Sequence, residues 1–287
     1  MAPLLALFIG VLQGSTELFP VSSLGHAVLV PSIFHLDFRQ SDPSFVPFLV
    51  LLHIGTASAL LVIYRREWTE IIDGLVRAAV RGRLQTETER LAMLLMVGTI
   101  PTGVIAVIFE QRLKDLFATP RFAAAMLIVN GAILLGAELL RRRDERRARV
   151  AEASGEQREA AFARVEGLTF TTAILVGACQ ALALLPGISR SGTTMAAGLV
   201  AGLRHEEALR FSFLLATPII FAAGVAEIPE LFHSGVPIGT YLGATVLAAL
   251  VAYATGRFLI RYFRVGRLDP FALYCALLGA VGLIVTR

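Results

Sequence analysis

Two long stretches of the sequence carry almost no charge and are too long to be single membrane-spanning helices. Residues 1–36 contain one formal charge, at Glu17, and residues 167–203 contain one, at Arg190. As straight helices they would each be roughly 54 Å long at 1.5 Å per residue, whereas the hydrocarbon core of a bilayer is about 30 Å thick. Each stretch must therefore turn back inside a membrane or cross it twice.

The rest of the chain also indicates a membrane protein. Hydrophobic residues make up 56% of the chain, which becomes roughly 63% when Gly is counted and Tyr is left out, against roughly 45 to 50% on that count in soluble domains. Charged residues make up 17%, against roughly 25%. This balance excludes a water-soluble globule, a disordered chain and a nucleic-acid-binding protein. Six further stretches have spanning length and contain no charge except Glu138: residues 45–64, 91–109, 122–140, 211–226, 236–256 and 271–286.

Both long stretches are interrupted by a proline that small polar residues follow, at residues 20–23 and 186–189. Proline and glycine break the helical hydrogen-bond ladder, and such backbone survives at membrane depth only where protein or a wet cavity satisfies it. A broken hairpin followed by three spans therefore occurs twice. Because three spans are an odd number, the second unit must be inverted, an arrangement that places a site at the bilayer midplane.

The predicted fold is an all-α polytopic membrane protein built as an inverted repeat. The first repeat covers residues 1–140 and begins with the re-entrant hairpin 1–36. A basic loop over 141–166 follows, and the second repeat covers 167–287, beginning with the hairpin 167–203. Each half contains one broken hairpin and three transmembrane helices.

The arginines predict the orientation. If each hairpin returns to its own side, the segments 65–90, 141–166, 204–210 and 257–270 share one face and hold 20 of the 26 Lys and Arg residues. By the positive-inside rule this face is cytoplasmic and both termini lie outside. Crossing the membrane twice would give the same loop arrangement, so the count does not separate the two models.

Glu17, His26 and Arg190 are ionisable residues predicted at membrane depth, together with His53 in the first span. A charge there costs at least ~2.5 to 3.5 kcal/mol, so a functional site facing the interior is the default interpretation. The alternative is a buried ion pair, such as Glu17 with Arg190, that only locks the hairpins together. We prefer a site because the ion pair leaves the neighbouring hydroxyls unexplained. His53 is interpreted as an interior hydrogen bonder, and the alternative is that it lines the site.

Glycines and hydroxyls surround Arg190 in the sequence of residues 187–194. Glycines let backbone amides approach a ligand, the following helix offers its N-terminus, and arginine holds an oxyanion through two parallel hydrogen bonds. The pattern predicts a phosphate cradle. Opposite it, Glu17 offers a carboxylate for a divalent metal or a proton, Ser23 offers a hydroxyl as nucleophile, with water as the alternative, and His26 offers an imidazole for proton transfer.

Two motifs resemble a known family. Residues 10–26, GVLQGSTELFPVSSLGH, and 186–194, PGISRSGTT, are similar to the signatures of the bacterial undecaprenyl-diphosphate phosphatase family associated with bacitracin resistance. The resemblance implies an inner-membrane enzyme that removes the terminal phosphate of undecaprenyl diphosphate and so recycles the lipid carrier of peptidoglycan and other cell-wall polymers. It implies a prenyl diphosphate substrate, surrounding membrane lipids and an active site open to the periplasm, and it leaves a homo-oligomer open.

The resemblance also implies roles for individual residues. Glu17, Ser23, His26 and Arg190 form the catalytic group, Arg190 holds the diphosphate, and a divalent cation, Mg or Ca, assists near Glu17. Which group attacks phosphorus, serine, histidine or water, is left open. Further residues are expected to bind substrate: Gln13, Ser22, Ser189, Ser191 and Thr194.

Gln13 stands where the family often has a second acid, four residues before Glu17. One carboxylate beside a neutral amide makes a metal site of low charge. We therefore expect the cation to be held mainly by the substrate phosphates.

Two other functions fit parts of the pattern. A lipid-diphosphate or anion transporter, or a flippase, could use the same midplane site, because inverted repeats with broken helices also build transporters. Release of phosphate by the purified protein distinguishes that alternative. The other large class of membrane lipid phosphatases is disfavoured, because residues 22–26 only echo its Pro-Ser-Gly-His motif and its partner motifs are not found.

Overall fold

The computed structural model describes residues 2–36, 45–116, 119–153, 164–233 and 238–286, and these form a helical protein. The first half contains α1 Pro3–Thr16, α2 Ser23–Ile33, α3 Phe45–Ile63, α4 Arg65–Arg81, α5 Glu87–Leu116 and α6 Pro120–Ala153. After a short 3-10 helix, Val165–Gly167, the second half contains α7 Phe170–Gln180, a 3-10 turn Ala181–Leu184, α8 Arg190–Val200, α9 His205–His233, α10 Ile238–Tyr262 and α11 Asp269–Val285.

Five helices among the described residues contain segments long and apolar enough to cross a membrane, which confirms the prediction of a polytopic membrane protein. These segments are Phe45–Ile63, Glu87–Phe109, Pro120–Arg147, His205–Val225 and Gly239–Tyr262. The sixth predicted span corresponds to α11, an apolar helix of 17 residues. At 1.5 Å per residue α11 is about 25 Å long, which is near the lower limit for a spanning helix.

Both long apolar stretches are broken where the prolines predict. Helix α1 has 14 residues, and α2, α7 and α8 have 11 each. None is longer than about 21 Å, so none crosses a hydrocarbon core of about 30 Å alone. Helix α1 packs against α2, and α7 packs against α8. Each stretch is therefore a hairpin whose turn lies inside the protein.

The two hairpin turns are built by capping serines. The Ser22 hydroxyl accepts a hydrogen bond from Gly25 N at 3.1 Å, and the Ser189 hydroxyl accepts one from Gly192 N at 3.1 Å. Serine is a preferred N-cap because its oxygen satisfies an amide of the first helical turn. Ser22 has a φ of 66°, a conformation that is costly for a residue other than glycine. Strain of this kind often occurs where a protein positions a functional group.

Helices of each half pack against helices of the other half. Helix α1 of the first half lies against α10 of the second, α7 of the second lies against α5 of the first, and α6 lies against α11. Glycines allow the close approach, since a Cβ atom on Gly14 would lie 2.5 Å from Ala248 O and one on Gly177 would lie 1.8 Å from Gly98 O. This reciprocity supports two equivalent units, while their inversion across the membrane stays a prediction.

Two segments that are predicted from the sequence to be loops are partly helical. Residues 65–81 form α4, an amphipathic helix with Ile72, Val76 and Val80 exposed along one side. Helix α6 continues past its predicted end through the arginine-rich run to Ala153. The prediction relied on charge alone, whereas arginine and glutamate are good helix formers outside a membrane as well as at its surface.

Glu138 connects three segments at the end of the protein where the arginine-rich segments 65–90, 141–166, 204–210 and 257–270 are predicted to lie. Its carboxylate is fully buried and accepts hydrogen bonds from Arg267 Nη1 at 2.8 Å and Leu268 N at 3.2 Å, and it contacts His205 Nε2 at 2.8 Å. The Glu138 carboxylate raises the pKa of the Arg267 guanidinium in the α10–α11 loop. This network connects α6 to the start of α9 and to that loop, so we assign it a structural role.

Candidate active site

A cavity of about 260 Å³ lies between the two broken hairpins and helices α3, α5 and α9. Its polar lining comes from both hairpins, α3 and α5: Glu17, Ser22, Ser23, His53, Thr102, Ser189 and Arg190. Its apolar lining includes Val46, Leu49 and Val50 of α3 and Ile219, Ile220 and Ala223 of α9. A small polar cluster in an otherwise apolar cavity is the usual form of a ligand site.

Glu17 is the centre of the polar cluster. It follows α1 directly, at the first residue of the hairpin turn, and is 6% exposed. Its Oε1 accepts a hydrogen bond from Arg190 Nη2 at 2.9 Å. Its Oε2 accepts one from Gln13 Nε2 at 3.0 Å and one from the Ser23 hydroxyl. A single carboxylate therefore joins the first hairpin to the second.

Arg190 is the first residue of α8 and lines the cavity. Nη2 binds Glu17, whereas Nη1 is buried and has no hydrogen-bond partner among the described residues. A buried donor without a partner costs about 1 to 3 kcal/mol, and more when it is charged. An oxyanion in the cavity would satisfy Nη1, and the N-terminus of α8 beside it favours negative charge.

His53 also belongs to the cluster. Its Nε2 lies 3.2 Å from Glu17 Oε2, and its Nδ1 lies 2.7 Å from Leu49 O in the preceding turn of α3. From the sequence His53 is predicted to be an interior hydrogen bonder, with lining of the site as the alternative; its contact with Leu49 O agrees with the first, and its place in the cavity wall with the second. That prediction missed the contact with Glu17, for which the available signal was the cost of placing a histidine in an uncharged span.

His26 is not brought to this cluster. It is 2% exposed, its Nδ1 lies 2.7 Å from Ser22 O, and its Nε2 lies 2.7 Å from the Tyr274 hydroxyl. Its ring stacks on Tyr274 with 5.6 Å between centroids. Both ring nitrogens are therefore engaged toward α11 and the backbone, and His26 is absent from the residues that line the cavity.

The predicted substrate-binding residues divide into two groups. Ser22 and Ser189 line the cavity and cap their helices. The other three lie behind it: Gln13 supports Glu17, the Ser191 hydroxyl donates to Phe19 O at 2.9 Å, and the Thr194 hydroxyl donates to Arg190 O at 2.7 Å. The second group supports the hairpins from behind, and none of its three members is among the residues that line this cavity.

Asn130 of α6 connects the two hairpin turns. Its Nδ2 donates to Pro20 O at 3.0 Å, and its Oδ1 accepts from Ser189 N at 2.9 Å. One amide side chain thus sets the distance between the turn that holds Glu17 and the helix that begins with Arg190.

The residues around Glu17 can be tested as ligands for the expected divalent cation. Both Glu17 oxygens already face hydrogen-bond donors, from Arg190 on one side and from Gln13 and Ser23 on the other. Within the part of the chain that the structure describes, no three His, Cys, Asp or Glu residues are placed to hold a metal. Hard divalent cations bind several oxygen ligands. These residues therefore do not form a cation site by themselves.

The chain is similar to known proteins over nearly its whole length. The family model described as bacitracin resistance protein BacA matches residues 6–281. The chain is 44% identical to the undecaprenyl-diphosphatase of Acidiphilium cryptum, covering 99% of this chain and 98% of that protein. It is 45% identical to undecaprenyl-diphosphatase 2 of Chromobacterium violaceum, with 97% of each chain covered. The undecaprenyl-diphosphatase of Mycolicibacterium paratuberculosis is 46% identical, with 97% of this chain and 95% of that protein covered.

Proposed function

This chain belongs to the bacitracin resistance protein BacA family, and on that premise we propose that it hydrolyses undecaprenyl diphosphate to undecaprenyl phosphate and inorganic phosphate. It is a membrane-embedded hydrolase that recycles the lipid carrier of cell-wall synthesis. The observation that carries the proposal is the convergence of Glu17, Ser23 and Arg190, from two distant hairpins, on one cavity. Full-length relatives named undecaprenyl-diphosphatase support the same activity.

Arg190 binds the diphosphate. Its Nη1 has no protein partner among the described residues, while Nη2 is held by Glu17, so the guanidinium is oriented before substrate arrives. Arginine suits this role because its planar group can offer parallel hydrogen bonds to phosphate oxygens. The N-terminus of α8 adds a partial positive charge at the same position.

Ser23 is the nucleophile, and Glu17 accepts its proton. The Ser23 oxygen attacks the terminal phosphorus, the bond from that phosphorus to the bridging oxygen breaks, and undecaprenyl phosphate leaves. Water then attacks the phosphoserine and releases inorganic phosphate, which regenerates Ser23. Phosphoryl transfer passes through a loose transition state, so catalysis depends mainly on positioning and charge stabilisation. The Ser23–Glu17 hydrogen bond and the Arg190 guanidinium supply these two requirements.

The cavity is proposed to open on the periplasmic side of the inner membrane. Its apolar walls come from the first half of α3, Val46 to Val50, and from Ile219 to Ala223 in the later half of α9. Helix α3 begins, and α9 ends, on the face opposite the arginine-rich segments that the positive-inside rule places in the cytoplasm. These walls give the prenyl chain a route from the bilayer to the polar cluster.

The divalent cation, Mg or Ca, is proposed to reach the site bound to the substrate diphosphate. The described residues do not form a cation site, because the Glu17 oxygens are already occupied by donors. We assign no step of the reaction to this ion.

Phosphate release by purified protein in detergent, from a prenyl diphosphate, tests the proposal. We expect Ser23→Ala to lose at least about 10²-fold in kcat, because the attacking oxygen is removed. Ser15→Ala is the matched control, since among the described residues the Ser15 hydroxyl donates to Leu12 O within α1, and it should keep normal activity. Wild-type protein that binds the lipid without releasing phosphate would favour a transporter, and an unimpaired Ser23→Ala variant would remove Ser23 from the mechanism.

A further inference from the structure

Helix α4 lies at the surface of the membrane, because membrane-spanning segments precede and follow it in the chain. The segment in α3 ends at Ile63, and the segment in α5 begins at Glu87. Helix α4 itself contains seven charged residues among 17, and each charge is expensive at membrane depth. It therefore does not cross the bilayer, and it connects α3 to α5 at one membrane surface.

Helix α4 presents three different sides. One side packs into the protein, and a second carries charged residues such as Glu70 and Arg77. The third side is apolar and exposed, with Ile72, Val76 and Val80 at the four-residue spacing that sets side chains on one helix face. An exposed apolar side beside a charged side is typical of a helix that lies in the interface between lipid and water.

A cleft of about 360 Å³ lies between α4 and the start of α5, and we call it the α4–α5 cleft. Its lining comes from α4, the turn after it and α5, and includes Leu75, Ala79, Arg83, Leu84, Met93 and Met96. Of the described residues that line it, Arg83 is the only charged one. Met96 is exposed and belongs to the spanning segment of α5, so the cleft is open to the hydrocarbon of the bilayer.

The turn that carries Arg83 is held at both ends. At its start Gly82 has a φ of 66°, which suits glycine, and its N donates to Ala78 O at 2.9 Å. At its end Thr86 N donates to Glu89 Oε2 at 3.3 Å, and Glu89 N donates to Thr86 Oγ1 at 3.2 Å. This reciprocal pair is a capping box. Arg83 is therefore presented at the cleft by a fixed turn.

Arg83 differs from the two arginines that precede it in what it binds. Arg77 Nε lies 3.8 Å from Glu89 Oε1, and Arg81 Nη1 donates to the same oxygen at 3.3 Å. Arg83 makes no ion pair or hydrogen bond with the part of the chain that the structure describes. Its guanidinium is therefore the group that can bind an anion from outside the protein at this cleft.

We propose that the α4–α5 cleft binds one anionic phospholipid of the surrounding bilayer, with an acyl chain between α4 and α5 and the phosphate at Arg83. The apolar wall matches a hydrocarbon chain that enters from the lipid, and the single cation at the cleft matches a phosphodiester. The cleft shares no lining residue with the cavity between the hairpins. The phospholipid is therefore a ligand separate from the proposed substrate.

The charge of the lining favours an anionic headgroup over a zwitterionic one. The described lining contains a guanidinium and no carboxylate, so no group in it attracts the ammonium of a choline headgroup. An arginine near a membrane surface strengthens the binding of an anionic lipid about fivefold. We expect a preference of that size for phosphatidylglycerol over phosphatidylcholine.

Tryptophan fluorescence measures this preference directly. Trp68 is the single tryptophan of the chain, so the double variant Trp68→Phe/Leu84→Trp places one fluorophore in the wall of the cleft. The full-length variant is reconstituted in vesicles that mix phosphatidylcholine with phosphatidylglycerol, and one of the two lipids carries brominated acyl chains, which quench tryptophan on contact. We expect brominated phosphatidylglycerol to reach half of its quenching at about a fivefold lower fraction than brominated phosphatidylcholine.

Arg83→Gln in the same background should bring this ratio to about one. Arg143→Gln is the matched control, because Arg143 is an exposed arginine of α6 outside the cleft, and it should keep the fivefold preference. Trp68→Phe/Met96→Trp is the second reporter, to be used if the first does not fold by gel filtration. Equal quenching by the two brominated lipids would overturn the site, and so would a preference that Arg83→Gln leaves unchanged or that Arg143→Gln lowers equally.

Discussion

Nη2 of Arg190 lies 2.9 Å from Oε1 of Glu17, although 173 positions separate the two residues in the chain. The sequence allowed two interpretations of this pair, a lock between the hairpins or part of a site. The contact does join the hairpins, but a buried ion pair adds little stability on its own, because desolvation offsets the attraction. The unpartnered Nη1 and the cavity beside it favour a binding site.

Arg190→Lys is expected to lose at least about 10²-fold in kcat/KM although the charge is retained. A lysine ammonium is a compact point charge and cannot bind Glu17 and a phosphate oxygen in the fixed geometry of a guanidinium. Phosphate release at several substrate concentrations measures the loss. Near-normal hydrolysis by the lysine variant would show that Arg190 does not bind the diphosphate.

Cysteine labelling tests the orientation. In a background without Cys179 and Cys275, we expect Val150→Cys and Val265→Cys to react with an impermeant reagent only from the cytoplasmic side, since both side chains are exposed at the arginine-rich end. A cysteine at position 233, whose side chain lies outside the described residues, should react only from outside. Labelling of 150 and 265 from opposite faces would contradict the orientation.

Gln13→Glu is expected to preserve hydrolysis and to make it more dependent on divalent cations. Gln13 Nε2 donates to Glu17 Oε2 at 3.0 Å, so a glutamate there would set two carboxylates one helical turn apart. Their repulsion is relieved by a hard cation, which prefers carboxylate oxygens. Titration of Mg and Ca against phosphate release compares this variant with wild type.

Glu17→Gln is the contrasting variant in that titration. It removes the one carboxylate in either hairpin, and with it the proton acceptor of Ser23, so we expect hydrolysis to be lost at every cation concentration. Full activity of Glu17→Gln would refute the role of Glu17. An unchanged cation midpoint in Gln13→Glu would show that position 13 does not influence cation binding.

Gly177→Ala is expected to destabilise the protein by about 1 to 3 kcal/mol, because overpacking forces backbone shifts. A Cβ atom on Gly177 would lie 1.8 Å from Gly98 O, so α7 and α5 would have to separate. Gly136→Ala is the matched control, since a Cβ atom there meets nothing within 4 Å. Thermal unfolding in detergent compares the two, and equal melting temperatures would contradict the close contact of α7 with α5.

The features that could be predicted from sequence are those set by local properties of the chain. Hydrophobic length predicts the spans, and proline and glycine predict the two hairpin turns. The arginine count predicts a sidedness that stays a prediction. Each depends on a short segment meeting lipid or water, so neighbours in sequence are sufficient. The family motifs add Glu17, Ser23 and Arg190, and the structure brings these three together. Helix α4 was not predicted, because its charged residues alone were taken to indicate a loop.

What only the tertiary structure decided is which side chains share the cavity. From the sequence His26 was placed in the catalytic group and His53 outside it, whereas in the structure His53 contacts Glu17 and His26 stacks on Tyr274. The direction of a side chain depends on how its helix is rotated and on what packs against it. For α2 and α3 that rotation is set by contacts with helices far along the chain, including α6, α9 and α10, which no local pattern records.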